Sequence, residues 1–193
     1  MEKEANRIIL PFESQQSWEA WLAEHYQDSP GIWLKIAKKD SGIPTVTYAE
    51  ALDSALCYGW IDGQKDAFDN QYWLQKFTPR GAKSKWSQIN RDKAEALIAA
   101  RRMQPAGLRQ IEQAKADGRW DAAYPAQSKM TVPEDFQSEL DKNPAASEFF
   151  AALDRGNRFA ILYRLHDAKK PETRAARIRK FIEMLEKKEK LYP

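Results

Sequence analysis

"CYGWIDG", residues 57–63, holds the chain's single cysteine, a tryptophan and an aspartate, punctuated by Gly59 and closed by Gly63. It decides the fold because a helical rhythm precedes it and a strand rhythm follows it. Upstream, Thr47 and Glu50 stand at capping-box spacing, where each side chain satisfies a free backbone N–H at a helix start. Tyr48, Ala51, Leu52, Ala55 and Leu56 then supply one apolar stripe. The stripe ends at Cys57 and Tyr58, and Gly59 suits a left-handed C-terminal cap. Downstream, "YGWIDGQ" starts a strand, "DAFDN" turns and "QYWLQKF" returns, so residues 58–78 read as a β-hairpin. In a strand, Trp60 and Asp62 share one face and Ile61 points to the other. The stretch is therefore either a helix stop entering the edge of a sheet or the wall of a ligand site. Both readings stand at this level.

Working outward, Ser14 reads as the N-cap of a first helix, after the short apolar lead "RIILPF". Trp18, Trp21, Leu22 and Tyr26 mark the face of that helix, and Pro30-Gly31 ends it. "GIWLKIAK" alternates as a strand, with Ile32, Leu34 and Ile36 on one side. From Ser84 onward every segment reads as helix. "SKWSQIN" reads as a short turn, Asn90 as the cap of "RDKAEALIAARRM", and Pro105 to Gly118 as another helix. Four more follow, and in the last, Ala175, Ile178, Ile182 and Leu185 make a narrow stripe with Lys170, Arg174, Arg177 and Lys180 off it. The expected class is α+β: a small, mostly antiparallel sheet with packed helices, followed by an all-helical C-terminal unit.

Composition divides the chain in the same place. All seven tryptophans lie at or before Trp120. Residues 155–193 carry 12 lysines and arginines against 5 acids, a net +7, whereas the rest sums to −4. This predicts a Trp-rich body over 1–126 and a basic helical domain over 133–193, joined by "YPAQSKMTVP" at 124–133.

Charged residues make up 31% of the chain and mean hydropathy is −0.74, with no apolar run near the roughly 18 residues of a membrane span. The opening "MEKEANRIIL" has neither the basic nor the apolar segment of a secretion signal. One cysteine forms no disulfide framework. The expectation is a cytoplasmic protein without a membrane span.

No nucleophile elbow, phosphate loop, zinc-protease helix or dinucleotide fingerprint is present. His25 and His166 stand without cysteines or paired carboxylates at ligand spacing, so neither a metal nor a cofactor is expected. Cys57 falls at a helix C-terminus, where the dipole disfavours a thiolate. The stretch "KFTPRGAKSKWSQIN", 76–90, is richer in binding chemistry: four cations, several neutral hydrogen-bonders, two aromatics and no carboxylate. It leads into a helix start, which favours an anion. Trp60, Asp62, Lys76, Arg80, Ser84, Trp86 and Asn90 are accordingly the candidate residues for a small anionic or aromatic ligand. The plain alternative is a solvated basic loop with capping serines. An enzyme using Asp62 as general acid or base is a second alternative. A nucleic-acid role for the basic helix over 169–180 is a third. Against that third reading, Phe149, Phe150, Phe159, Tyr163 and Phe181 mostly fall in apolar stripes rather than among the charges.

Four blocks carry a family resemblance: "TYAEALDSALCYGWIDGQ", "FTPRGAKSKWSQIN", "GLRQIEQAKADGRWDAAY" and "AKKPETRAARIRK". Together they resemble the bacterial YdeI/OmpD-associated proteins, also labelled bacteriocin-protection proteins, from Phe12 to about Leu185. The resemblance implies a role in protection from bacteriocins or antimicrobial peptides, with the part from about Val132 as the small helical domain that names the family. It implies no substrate, cofactor or catalytic residue. The porin association in the label requires an envelope location, which the expected cytoplasmic placement does not provide.

Overall fold

In the computed structural model, which describes residues 7–193, the apolar lead is itself a strand, β1 (Ile9–Pro11). It is followed by α1 (Gln15–His25), β2 (Ile32–Ala37), α2 (Tyr48–Cys57), β3 (Trp60–Ala67) and β4 (Tyr72–Pro79). Helices α3 (Gln88–Ala99) and α4 (Pro105–Ala116) complete a first compact unit that ends at Ala123. The second unit begins at Tyr124 and holds a 3-10 turn and helices α5 (Glu134–Asp141), α6 (Pro144–Ala152), α7 (Arg155–Asp167) and α8 (Pro171–Glu186). The class is α+β with a helical C-terminus.

Local chemistry places most of these ends. Ser14 caps α1 and Thr47 caps α2, each in a reciprocal box with the residue three positions on, Ser17 and Glu50. The Thr47 N–H and hydroxyl hold the Glu50 carboxyl below the usual range. Prolines occupy the first turns of α4, α6 and α8, where a missing N–H costs nothing.

The sheet runs in the order β1-β2-β4-β3. It is mixed, because β1 pairs parallel to β2 while the other neighbours are antiparallel. A register shift between Asp62 and Lys65 bulges β3. One face presents Ile32, Leu34, Ile36 and Phe77 to the helices and forms the core with Trp18, Leu22 and Leu56. Trp60 meets Trp18 and Trp21 edge-on, at centroid distances of 6.3 and 5.8 Å. The opposite face presents Trp33, Lys35, Leu74 and Lys76.

Gly59 closes α2 at φ +75°. Its N–H bonds the Leu56 carbonyl at 3.1 Å, and its own carbonyl accepts the Arg80 N–H at 3.0 Å. The Cys57 carbonyl accepts the Gln104 N–H at 3.1 Å, just before α4. "CYGWIDG" is thus a helix stop onto which the end of β4 and the start of α4 are both tied.

Two local expectations are corrected. In "SKWSQIN" only Gln88, Ile89 and Asn90 are helical, as the start of α3, which is capped not by Asn90 but by Ser87, whose hydroxyl accepts the Asn90 N–H at 3.1 Å. Trp86 explains this: only 2% exposed and edge-on to Trp120 at 4.8 Å, it draws the preceding chain into the core rather than into a coil. In α8 the buried stripe is Ile178, Phe181 and Leu185, while Ala175 is exposed and Ile182 only partly covered. The second unit's cluster draws Phe136, Leu140, Phe150 and Ile161 from α5, α6 and α7 against that stripe. Buried Asn157 pins the C-terminal segment, donating to the Tyr192 carbonyl at 3.2 Å and accepting the Tyr192 N–H at 3.0 Å.

Candidate functional site

Because Gly59 lacks a side chain, α4 approaches the end of α2 and leaves a cleft of about 230 Å³ beside it. Tyr26 and Gln27 border it from the end of α1, Tyr58, Gly59 and Trp60 from the helix stop, and Pro79 and Arg80 from the end of β4. Ala106, Arg109 and Gln110 close it from α4. No carboxylate is among these lining residues.

Arg80 is 5% exposed, its guanidinium carbon 3.6 Å from the centre of the Trp86 ring and its Nη1 donating to the Lys85 carbonyl at 3.3 Å. Stacking and hydrogen bonding together hold a guanidinium in one orientation. Arg109 is the solvent-exposed cation of the cleft. The Gln110 Oε1 is buried without a hydrogen-bond partner, and such an acceptor is costly to leave unmet. Burial, followed by the Glu19 charge, pushes the Tyr58 hydroxyl up, so it stays a proton donor at neutral pH.

The seven candidates disperse. Trp60 is core, 1% exposed, its indole N–H donating to the Tyr26 carbonyl at 3.1 Å, and only its edge borders the cleft. Asp62 shares the Trp60 face but lies outside the cleft, where the Tyr48 hydroxyl donates to it at 2.8 Å. Lys76 is on the other side of the sheet: Asp62 pairs in register with Phe77, and Lys76 reaches toward the Trp33 ring at 5.8 Å. Ser84 closes its own turn, its hydroxyl accepting the Gly81 N–H at 3.0 Å. Trp86 is core and Asn90 belongs to the first turn of α3. Trp60 and Arg80 are therefore brought together, and Arg109, Gln110, Tyr26, Gln27 and Tyr58 join them. The one sequence signal for α4 was Gly107, since an isolated glycine inside a helix often marks a close approach.

Cys57 is buried, and burial outweighs the Arg102 charge to push its thiol up to about 11. Such a thiol is no nucleophile at neutral pH. Among the described residues no group of three His, Cys, Asp or Glu is placed to hold a metal ion. No described helix is long and apolar enough to cross a membrane. In the basic C-terminal helix, Arg174 is bound to Asp135 and to the Leu165 carbonyl, and Arg177 to the Arg164 carbonyl.

Fold and cleft together define an α+β unit with a cationic cleft, followed by a helical unit. The chain belongs to the family described as a domain of unknown function (DUF8412), whose model matches residues 10–110. A second family model, described as Bacteriocin-protection, YdeI or OmpD-Associated, matches residues 129–188. That likeness therefore covers the C-terminal part only, narrower than the span from Phe12 over which the quoted blocks extend. The blocks at 47–64 and 77–90 fall inside the first match. No curated protein and no solved structure matches the chain.

Proposed function

We propose that this is a cytoplasmic binding protein with a protective role, and that its cleft takes a small anion bearing a hydroxyl. The observation that carries the reading is that Arg80 and Arg109 border one cleft whose lining has no carboxylate. Guanidinium groups hold phosphate or carboxylate through paired hydrogen bonds, which an ammonium cannot do. The Gln110 side chain borders the same cleft, where an amide can meet a hydroxyl-bearing anion such as hydrogen phosphate or a 2-hydroxy carboxylate. The protective role rests on the bacteriocin-protection family whose model matches residues 129–188. The single, buried, free thiol supports a reducing compartment.

Thermal melting in inorganic phosphate and in a 2-hydroxy dicarboxylate, against chloride at equal ionic strength, tests this reading. A bound ligand raises the midpoint by mass action. The shift is expected in the native chain, lost in Arg109→Ala, weakened in Arg80→Lys although the charge is kept, and unchanged in Lys83→Ala. Arg109 and Lys83 are exposed, so those variants fold. Equal midpoints in all three salts, or a shift that survives Arg109→Ala, would overturn the anion reading.

A further inference from the structure

The sheet face turned away from the helices buries apolar residues without help from the core. Trp33 and Leu74 are 7% and 2% exposed, yet neither belongs to the hydrophobic cluster of its unit. The Trp33 ring is covered by long cationic side chains, whose stems lie on apolar surface while their heads stay wet. Arg7 lies over the Trp33 ring at 4.5 Å, and Lys76, directly across from Trp33 in register, approaches the same ring. Two positions along β2, the Lys35 ammonium sits 4.0 Å from the centre of the Tyr72 ring and 4.7 Å from that of Phe68. At the same end but on the helix-covered face, where Trp73 pairs in register with Ile36, Lys65 lies over Trp73 at 4.6 Å, and a shallow depression of about 560 Å³ there is bordered by Lys38, Lys39 and Asp66. Asp66 is already bound to Arg7 at 2.7 Å, which holds its carboxyl below the usual range.

We propose that this face, from Trp33 and Lys76 through Lys35 and Tyr72 to Phe68 and the hairpin tip, binds single-stranded nucleic acid. Rings interleaved with cations along one track are what a single strand needs, since every base has a π-face and every phosphate a charge. On binding, bases take the ring faces now occupied by ammonium groups, and those groups move to the phosphates beside them. A duplex keeps its bases stacked inside and has no use for the rings. An acidic peptide would engage the lysines but leave the rings unused. Commitment to a single strand follows from the pairing of ring and cation at Trp33, Tyr72 and Phe68. This site shares no residue with the cleft at Arg80 and Arg109.

The test is fluorescence anisotropy of a labelled 15-nucleotide oligothymidine with the full-length protein, at several salt concentrations. Binding is expected at low salt and to weaken as salt rises, tighter than to a duplex of equal length and tighter than to inorganic polyphosphate. Phe68→Ala, at a residue 46% exposed, and Tyr72→Ala should each weaken binding about tenfold. Lys35→Ala and Lys76→Ala should each lower the slope of log affinity against log salt by about 0.7. Lys180→Ala in α8 and Arg109→Ala in the cleft should leave binding unchanged. Duplex or polyphosphate binding as tight as the single strand, no effect of Phe68→Ala and Tyr72→Ala, or loss in Lys180→Ala would each overturn the proposal.

Discussion

The α-carbon of Gly107 lies so close to the end of α2 that a β-carbon built on it would stand 2.4 Å from the Cys57 carbonyl oxygen. The Leu56 carbonyl would follow at 2.8 Å and the Met103 sulfur at 2.4 Å. Backbone carbonyls do not give way as a flexible side chain does, so this contact sets how closely α4 docks. It also sets where Arg109 and Gln110 stand relative to Gly59.

Gly107→Ala should therefore destabilise the first unit by about 1–3 kcal/mol, the usual cost of overpacking. Gly81→Ala, where the nearest atom would be the Ser84 hydroxyl at 3.8 Å, should change stability little. Urea denaturation of both variants checks this, and equal midpoints would mean that α4 yields.

Cys57 has a folded pKa above its ordinary value, so the native state holds the thiol proton more tightly than the unfolded chain. The associated stability is present below about pH 9 and is lost as pH rises through about 11. Cys57→Ala should flatten the decline in stability over that window. At pH 8, alkylation of the native protein should be far slower than alkylation in denaturant. Equal rates in the two states would place the thiol at the surface.

Arg174 donates to the Asp135 carboxyl, which lowers that group's pKa below its ordinary value. The pair's contribution is present above about pH 4 and lost as pH falls through the lowered value. Both side chains are partly exposed, so solvent limits the contribution to about 1 kcal/mol at most. Asp135→Asn should thus lower the denaturation midpoint slightly at about pH 7 and not at about pH 2. A loss that persists in acid would assign the effect to something other than the charge.

Ile178 faces the second unit's core while Lys180, two positions on, is exposed. Ile178→Asp should cost several kcal/mol, on the order of 3 or more, because an unpaired carboxylate enters an apolar cluster. Lys180→Ala should cost about 0.5 kcal/mol or less. Circular dichroism melts of the two variants separate these outcomes, and similar midpoints would reverse the assignment of faces.

Much of the fold was legible because its signals are local. Ser14 and Thr47 cap helices through atoms three residues away, Gly59 closes a helix through its own φ, and alternation over 32–36 marks which residues share a face. In α8 the expected stripe holds at Ile178 and Leu185 and differs at Ala175 and Ile182. A pattern of apolar residues does not say which member the neighbouring helices reach, and packing chose Phe181 over Ala175 and Ile182.

The sequence by itself determined the class of the protein, the hairpin after the helix stop and the place of the single thiol at a helix C-terminus. Each of these depends on residues near one another along the chain. The tertiary structure alone decided the cleft and the aromatic sheet face. Register across the bulge at Asp62 pairs that residue with Phe77 and so sends Lys76 to the far side, beside Trp33. The docking of α4 on Gly59 brings Arg109 and Gln110 to Arg80, although about thirty residues separate them along the chain. Side-chain periodicity assigns faces within one strand or helix, whereas register and docking depth come from packing between elements distant in sequence.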